Sequence, residues 1–211
     1  MVSDKRTLKA ICTLKRLLDL LDQAGGPVPP PGLFAALERY KPNRDELAKY
    51  QAFSRGGYRR NLIHTGPGYQ AWLLCWKRGQ FSPIHDHSGS ACGVRIIQGV
   101  AAETVFRKRR DGRLVRGKTF THSVGTVIAS VDQDVHTMGC MADAAEDLVS
   151  LHIYSPALTG MKFYPEELVV KVSPSRSRQS ALASIAPVRG VSKRVKRPLA
   201  ASIRASKARR G

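Results

Sequence analysis

The stretch GQFSPIHDHSGSACGVRIIQG, residues 79–99, decides how the rest of the chain is read. His85 and His87 flank Asp86, and Cys92 follows with four residues between it and His87. In an extended chain, residues i and i+2 point to the same face, about 6.5–7 Å apart. The two imidazoles can therefore address one ion while Asp86 faces away. Taken alone, the short HxH also suits a solvated turn. The apolar run after it reads as a strand, and the question becomes what surrounds it.

From Tyr58 onward the texture is uniform. Short β-rich runs (AWLLCW, GVRIIQG, AETVFRK, LVRGKTFTH, GTVIAS, DLVSLHIY and ELVVKV) alternate with Gly, Pro, Asp and Ser. Many short strands at regular spacing, with no βαβ alternation, predict a sandwich or barrel. Ahead of them the pattern is helical. Leu8, Ile11, Leu14, Leu18 and Leu21 share one face of a helix expected over 3–23, which GGPVPPPG stops. A second helix is expected at 32–40. A third is expected at 43–52, where Asn43 and Glu46 have the spacing of an N-cap and its returning acid. The fold class is thus mainly β: a jelly-roll barrel over 56–170 behind N-terminal helices in 1–55, with a basic tail over 171–211.

The tail is set apart by charge. It holds twelve of the 35 Lys and Arg and none of the 16 acids, and so carries +12 of the net +19. It has no aromatic residue, and so little apolar surface predicts disorder. Such a segment can touch nucleic acid or anionic lipid without selectivity. No nucleic-acid reading motif accompanies it, so no specific nucleic acid is expected as a partner. No apolar run is long enough to span a bilayer, and the N-terminus lacks the cleavage site of a secretory signal. The four cysteines, Cys12, Cys75, Cys92 and Cys140, form no CxxC pair. A cytoplasmic monomer is expected, with no membrane partner.

The frame around His85 and His87 is more specific than the triplet itself. Gly79, His85, His87, Cys92 and Gly99 stand at the spacing G-x5-H-x-H-x4-C-x6-G. This resembles the first cupin motif, with Cys92 at the position of its glutamate. The second cupin motif can be laid on Gly125 to Cys140, keeping Gly125 and His136. The candidate metal ligands are then His85, His87 and His136, all neutral. Imidazole suits Fe, Zn, Cu or Ni, so the donor type leaves the metal open.

Taken together, YRRNL, LLCW, IHDH, the QG ending at Gly99, ETVF and SLHIYSP make the stretch from Tyr58 to Pro156 resemble the cysteine dioxygenase family. The resemblance implies a cupin barrel with Fe(2+) on His85, His87 and His136. It implies a reaction in which both atoms of O2 are added to the thiol of L-cysteine. It further implies that Arg60 grips the substrate carboxylate, helped by Tyr58. Tyr154 would place its hydroxyl near substrate and oxygen, oriented by Ser150 and His152. Cys92 falls where some members form a thioether bond to that tyrosine. Ala91 departs from the histidine of animal members.

Part of this is legible without the family. Ser150, His152 and Tyr154 alternate with Val149, Leu151 and Ile153, giving one polar and one apolar strand face. Inside a small barrel, a hydrogen-bonded Ser-His-Tyr chain would satisfy that polar face. The same pattern fits an edge strand facing solvent. Arg59 and Arg60 would face opposite sides of a strand, and the residues alone leave open which points inward. An arginine fork suits a carboxylate. His64 and His122 lie outside the matched positions and read as surface or loop histidines. Cys75 reads as a buried structural residue, and Cys12 as part of the first helix. Two other readings remain: a dioxygenase of another small thiol, such as 3-mercaptopropionate or cysteamine, and a non-enzymatic metal-binding cupin sensor.

Overall fold

The computed structural model describes residues 9–130 and 135–170. The basic tail lies outside the described residues. Of the helix expected over 3–23, residues 3–8 lie outside the described residues; within the rest α1 spans Leu14–Asp22, because Thr13 accepts the Arg16 N–H and starts it there. Ile11, just before it, is extended and bridges Tyr40, with its N–H on the Arg39 carbonyl at 2.9 Å. Cys12 therefore precedes the helix and is exposed. The second helix, α2, spans Pro30–Arg39 and begins on prolines, which fit a first turn. The third, α3, is short, Arg44–Ala48, and Asn43 caps it by accepting the Asp45 N–H at 2.9 Å. Glu46 does not play its expected local part. Its carboxylate accepts the Leu14 N–H at 2.8 Å and caps α1 instead.

Ten strands follow: β1 Arg59–Gly66, β2 Tyr69–Trp76, β3 Ile84–His85, β4 Ala91–Gln98, β5 Ala101–Lys108, β6 Leu114–His122, β7 Val127–Ser130, β8 Val135–Cys140, β9 Leu148–Ser155 and β10 Phe163–Tyr164. They form two five-stranded sheets, ordered β1-β2-β9-β4-β7 and β10-β3-β8-β5-β6, with antiparallel pairing throughout. This is the mainly β cupin architecture. The run ELVVKV was expected as a strand. Its start instead forms a 3-10 turn, Glu166–Leu168, after Pro165, and Val169 makes an isolated bridge to Leu114. Among the described residues, no helix is long and apolar enough to cross a membrane.

The alternation in β9 explains how the layers stack. Val149, Leu151 and Ile153 face outward from the barrel and pack with Leu14, Leu17 and Leu21 of α1 and Leu33 and Leu37 of α2. Burying a leucine or isoleucine side chain contributes roughly 1.5–3 kcal/mol, so this outer layer anchors the helices. Gly93 on β4 lets α2 sit close, since a Cβ there would lie 2.9 Å from Leu37 and 3.1 Å from Leu33. Tyr154 faces the other way, into a core with Leu74, Trp76, Cys92, Val94, Ile96 and Met138. All eight residues of β9 are buried, and β2 and β4 pair on either side of it. The edge-strand alternative is therefore excluded, and the polar residues of β9 must find partners inside.

Candidate metal centre

His85 stands at the end of β3, His87 just beyond it, and His136 on β8, where it is the register partner of His85. Antiparallel pairing thus delivers the third histidine to the first two. One ring nitrogen from each lies within 4.8 Å of the others, and all three residues are buried. Asp86, as expected, turns away: its carboxylate accepts the Tyr164 hydroxyl at 2.6 Å and the Ser88 N–H at 3.1 Å.

The surroundings decide which lone pairs are free. His85 Nδ1 donates to the Pro83 carbonyl at 2.9 Å, leaving Nε2 to accept. His136 Nδ1 donates to Glu103 Oε1 at 2.6 Å, and its Nε2 is buried without a hydrogen-bond partner. His87 Nδ1 is likewise buried and unpartnered. Burial lowers the pKa of His85 to about 4 and that of His87 to about 3, and His136 beside them pushes both the same way. Both rings are therefore neutral near pH 7, the form that binds metal. Unpaired buried nitrogens are costly, and His87 Nδ1 and His136 Nε2 are two of them; with the accepting nitrogen of His85 they make a donor set that a metal ion would satisfy.

The polar face of β9 forms the chain that its sequence suggests. His152 Nε2 meets Ser150 Oγ at 2.9 Å, and His152 Nδ1 meets the Tyr154 hydroxyl at 3.4 Å. Trp76 Nε1–H, which can only donate, gives its hydrogen bond to Ser150 Oγ at 3.1 Å. Ser150 can then donate its own proton to His152 Nε2, which puts the His152 proton on Nδ1, facing the Tyr154 oxygen. In that order the Tyr154 hydroxyl keeps a proton of its own, with Cys92 Sγ beside it, and its ring lies 5.5 Å from that of His87. Burial holds the Tyr154 pKa well above its ordinary value and that of His152 well below. Both are neutral in the folded chain.

Cys92 and Tyr154 lie side by side, as a thioether between them would require. They are direct register partners on the adjacent strands β4 and β9, with Cys92 Sγ hydrogen-bonded to the tyrosine and 3.9 Å from His152 Nδ1. Burial pushes the Cys92 thiol up, so it is protonated.

The Arg59 and Arg60 alternative is resolved by the facing of β1: Arg59 is exposed and Arg60 is half-buried. The Arg60 guanidinium lies 5.0 Å from the Trp72 ring and 5.5 Å from the Tyr154 ring, with Nη1 3.1 Å from Met161 Sδ. Its Nε is buried without a partner. A cavity of about 390 Å³ opens beside it, bordered by Gln70, Trp72, Met161 and Phe163. Tyr58 stacks on Trp76 with ring centroids 4.1 Å apart. Cys75 is buried against the helices, as expected.

Two residues at the site escape a sequence reading. Glu103 is a buried acid on β5, and His122, expected as a surface or loop histidine, is on β6 with its Nε2 2.9 Å from Glu103 Oε2. Burial alone would raise the Glu103 pKa, but the hydrogen bonds from His136 and His122 outweigh it and hold the carboxylate ionised. The available signal was a lone acid inside the run AETVF. His64 is partly exposed, as expected, and pairs with Asp22 at 3.4 Å.

The family model described as "Cysteine dioxygenase type I" matches residues 5–167. The chain is 33% identical to human cysteine dioxygenase type 1 over 159 residues, covering 68% of this chain and 74% of the relative. It is 32% identical to the Rattus norvegicus protein of that name over 150 residues, with the same coverage. Among solved structures, a double-stranded beta-helix protein from Klebsiella pneumoniae aligns at a TM-score of 0.47 and 15% identity, covering 56% of this chain and 87% of that one.

Proposed function

Because the chain belongs to the cysteine dioxygenase type I family, we propose that it is an iron(II)-dependent dioxygenase that converts L-cysteine to cysteine sulfinate. The observation that carries this reading is the cluster of three buried histidines, two of them with an unsatisfied ring nitrogen, set beside an inward-turned arginine. His85, His87 and His136 would hold the metal. Iron(II), when bound, supplies the redox centre at which thiol and O2 react. Both oxygen atoms end on sulfur, which gives up all the electrons that O2 accepts, so no external reductant is needed.

The chain's own residues bind and orient. Arg60 offers a planar fork to the substrate carboxylate, and its unpartnered Nε and weak sulfur contact leave donors to spare. Tyr58, stacked on Trp76, borders the same side. Tyr154 would place its hydroxyl near substrate and oxygen, oriented by the Trp76–Ser150–His152 chain. Holding reactants in one orientation is the main contribution a protein makes to such a reaction. Cys92, next to Tyr154, would form a thioether bond to the ring, the thiol hydrogen and one ring hydrogen being taken up by O2 with iron. The arginine favours a carboxylate-bearing thiol over cysteamine.

Metal analysis tests the ligand set. The full chain should bind one ferrous ion, and His136→Ala should lose both the metal and turnover. A His136→Ala protein with native iron content and activity would remove His136 from the site.

A further inference from the structure

Three histidines without a carboxylate make an unusually uncharged ligand set, yet a carboxylate lies one residue behind them. Glu103 sits on β5, between β8 with His136 and β6 with His122. Register pairs Val105 with His136 and Ala101 with His122, so Glu103 lies diagonally between the two histidines on one face of the sheet. Both of its oxygens are committed: Oε1 to His136 Nδ1 at 2.6 Å and Oε2 to His122 Nε2 at 2.9 Å. A carboxylate so clamped cannot swing in to become a ligand. It can decide which nitrogen of His136 carries the proton and where the other points. With Nδ1–H spent on Glu103, the His136 Nε2 lone pair is left buried, unpartnered and within the three-histidine cluster.

Resting on the reading of that cluster as a metal site, we propose that Glu103 is a positioning residue: it fixes the tautomer and ring orientation of His136, and His122 clamps it from behind. The negative charge missing from the ligands is then supplied from the next layer, through the imidazole. His122 also gives the row its outer end, since its side chain is only 16% exposed. Groups that orient a metal-bound histidine are typically worth about 10- to 100-fold in metal affinity.

The test measures metal affinity of the metal-free full chain, with Co²⁺ titrated against a competing chelator, and uses the Co²⁺ absorption spectrum as a second readout. Glu103→Gln keeps the shape and an acceptor for His136 but removes the charge. It should weaken binding about 10-fold and shift the visible spectrum. Glu103→Ala should weaken it up to about 100-fold, and His122→Phe by a smaller, several-fold factor. Near-UV circular dichroism confirms that each variant is folded, and Glu103→Gln decides the matter if the alanine variant is not. A carboxylate that only braces the sheet would lower the melting temperature and leave affinity and spectrum unchanged in Glu103→Gln, which would overturn the proposal. His136→Ala separates the two layers of the argument. If it binds Co²⁺ like the native chain, the metal-site reading itself fails. If it does not, while Glu103→Gln and Glu103→Ala bind normally, only the positioning role fails.

Discussion

Replacing Arg60 by alanine should raise the Michaelis constant for L-cysteine by about ten- to a hundredfold. The magnitude follows from what the guanidinium touches. It already has two ring faces, at 5.0 and 5.5 Å, and a thioether sulfur at 3.1 Å, but no carboxylate among the described residues. Its buried Nε lacks any partner. A substrate carboxylate therefore makes the charge-assisted contact that this environment omits. Such a contact contributes about 1.5–3 kcal/mol net. At about 1.4 kcal/mol per decade, that is on the order of ten- to a hundredfold. Lysine at the same position keeps the charge without the fork and should fall between the two. Loss of the ring contacts costs stability, on the order of 0.5–1 kcal/mol each, and shows in the melting temperature instead of in substrate binding. Initial rates of sulfinate formation against cysteine concentration measure the effect. Arg59→Ala is the control, because Arg59 is exposed. A steep rise for Arg59→Ala with little change for Arg60→Ala would refute the assignment of the inward arginine.

Three further outcomes are expected. The folded His85 and His87 titrate at about 4 and about 3, against an ordinary histidine value near 6.5, so the unfolded chain binds more protons between those limits. The melting temperature of the metal-free protein should therefore fall as pH drops from about 6.5 toward 4, and His87→Gln should flatten that slope; an unchanged slope would contradict the lowered titration. After incubation with iron, cysteine and O2, mass spectrometry should detect peptides carrying Cys92 and Tyr154 joined and lighter by two hydrogens. Cys92→Ser should abolish that species, and its absence from active native enzyme would refute the crosslink. Gly93→Val should destabilise the fold by about 1–3 kcal/mol in a denaturant titration, because its side chain must displace Leu33 and Leu37 of α2; an unchanged midpoint would show that α2 shifts freely.

What the sequence revealed was whatever is written in local period or spacing. The alternation from Val149 to Tyr154 sorted that strand into a helix-covered face and a hydrogen-bonded interior face, and both exist. The HxH spacing brought His85 and His87 together, and the second motif supplied His136. What it hid depends on contacts between distant segments. The start of α1 is set partly by Glu46, whose carboxylate comes from α3. The inward side of β1 could not be read from adjacent arginines, because register against β2 decides it. Cys92 and Tyr154 are neighbours because β4 lies beside β9, an order that hairpin reasoning does not give. Glu103 and His122 escaped for the same reason: each looks ordinary on its own strand, and only the sheet puts them in line with His136.

The measurement that tests the central claim most directly is turnover under ¹⁸O₂. The metal-free chain is loaded with iron(II), supplied with L-cysteine, and its product analysed by mass. The account predicts cysteine sulfinate carrying both labelled atoms, formed in equal amount to the O2 consumed, with no added reductant. A protein that binds iron on its three histidines yet consumes no oxygen with cysteine, or yields sulfinate with only one labelled atom, would contradict it.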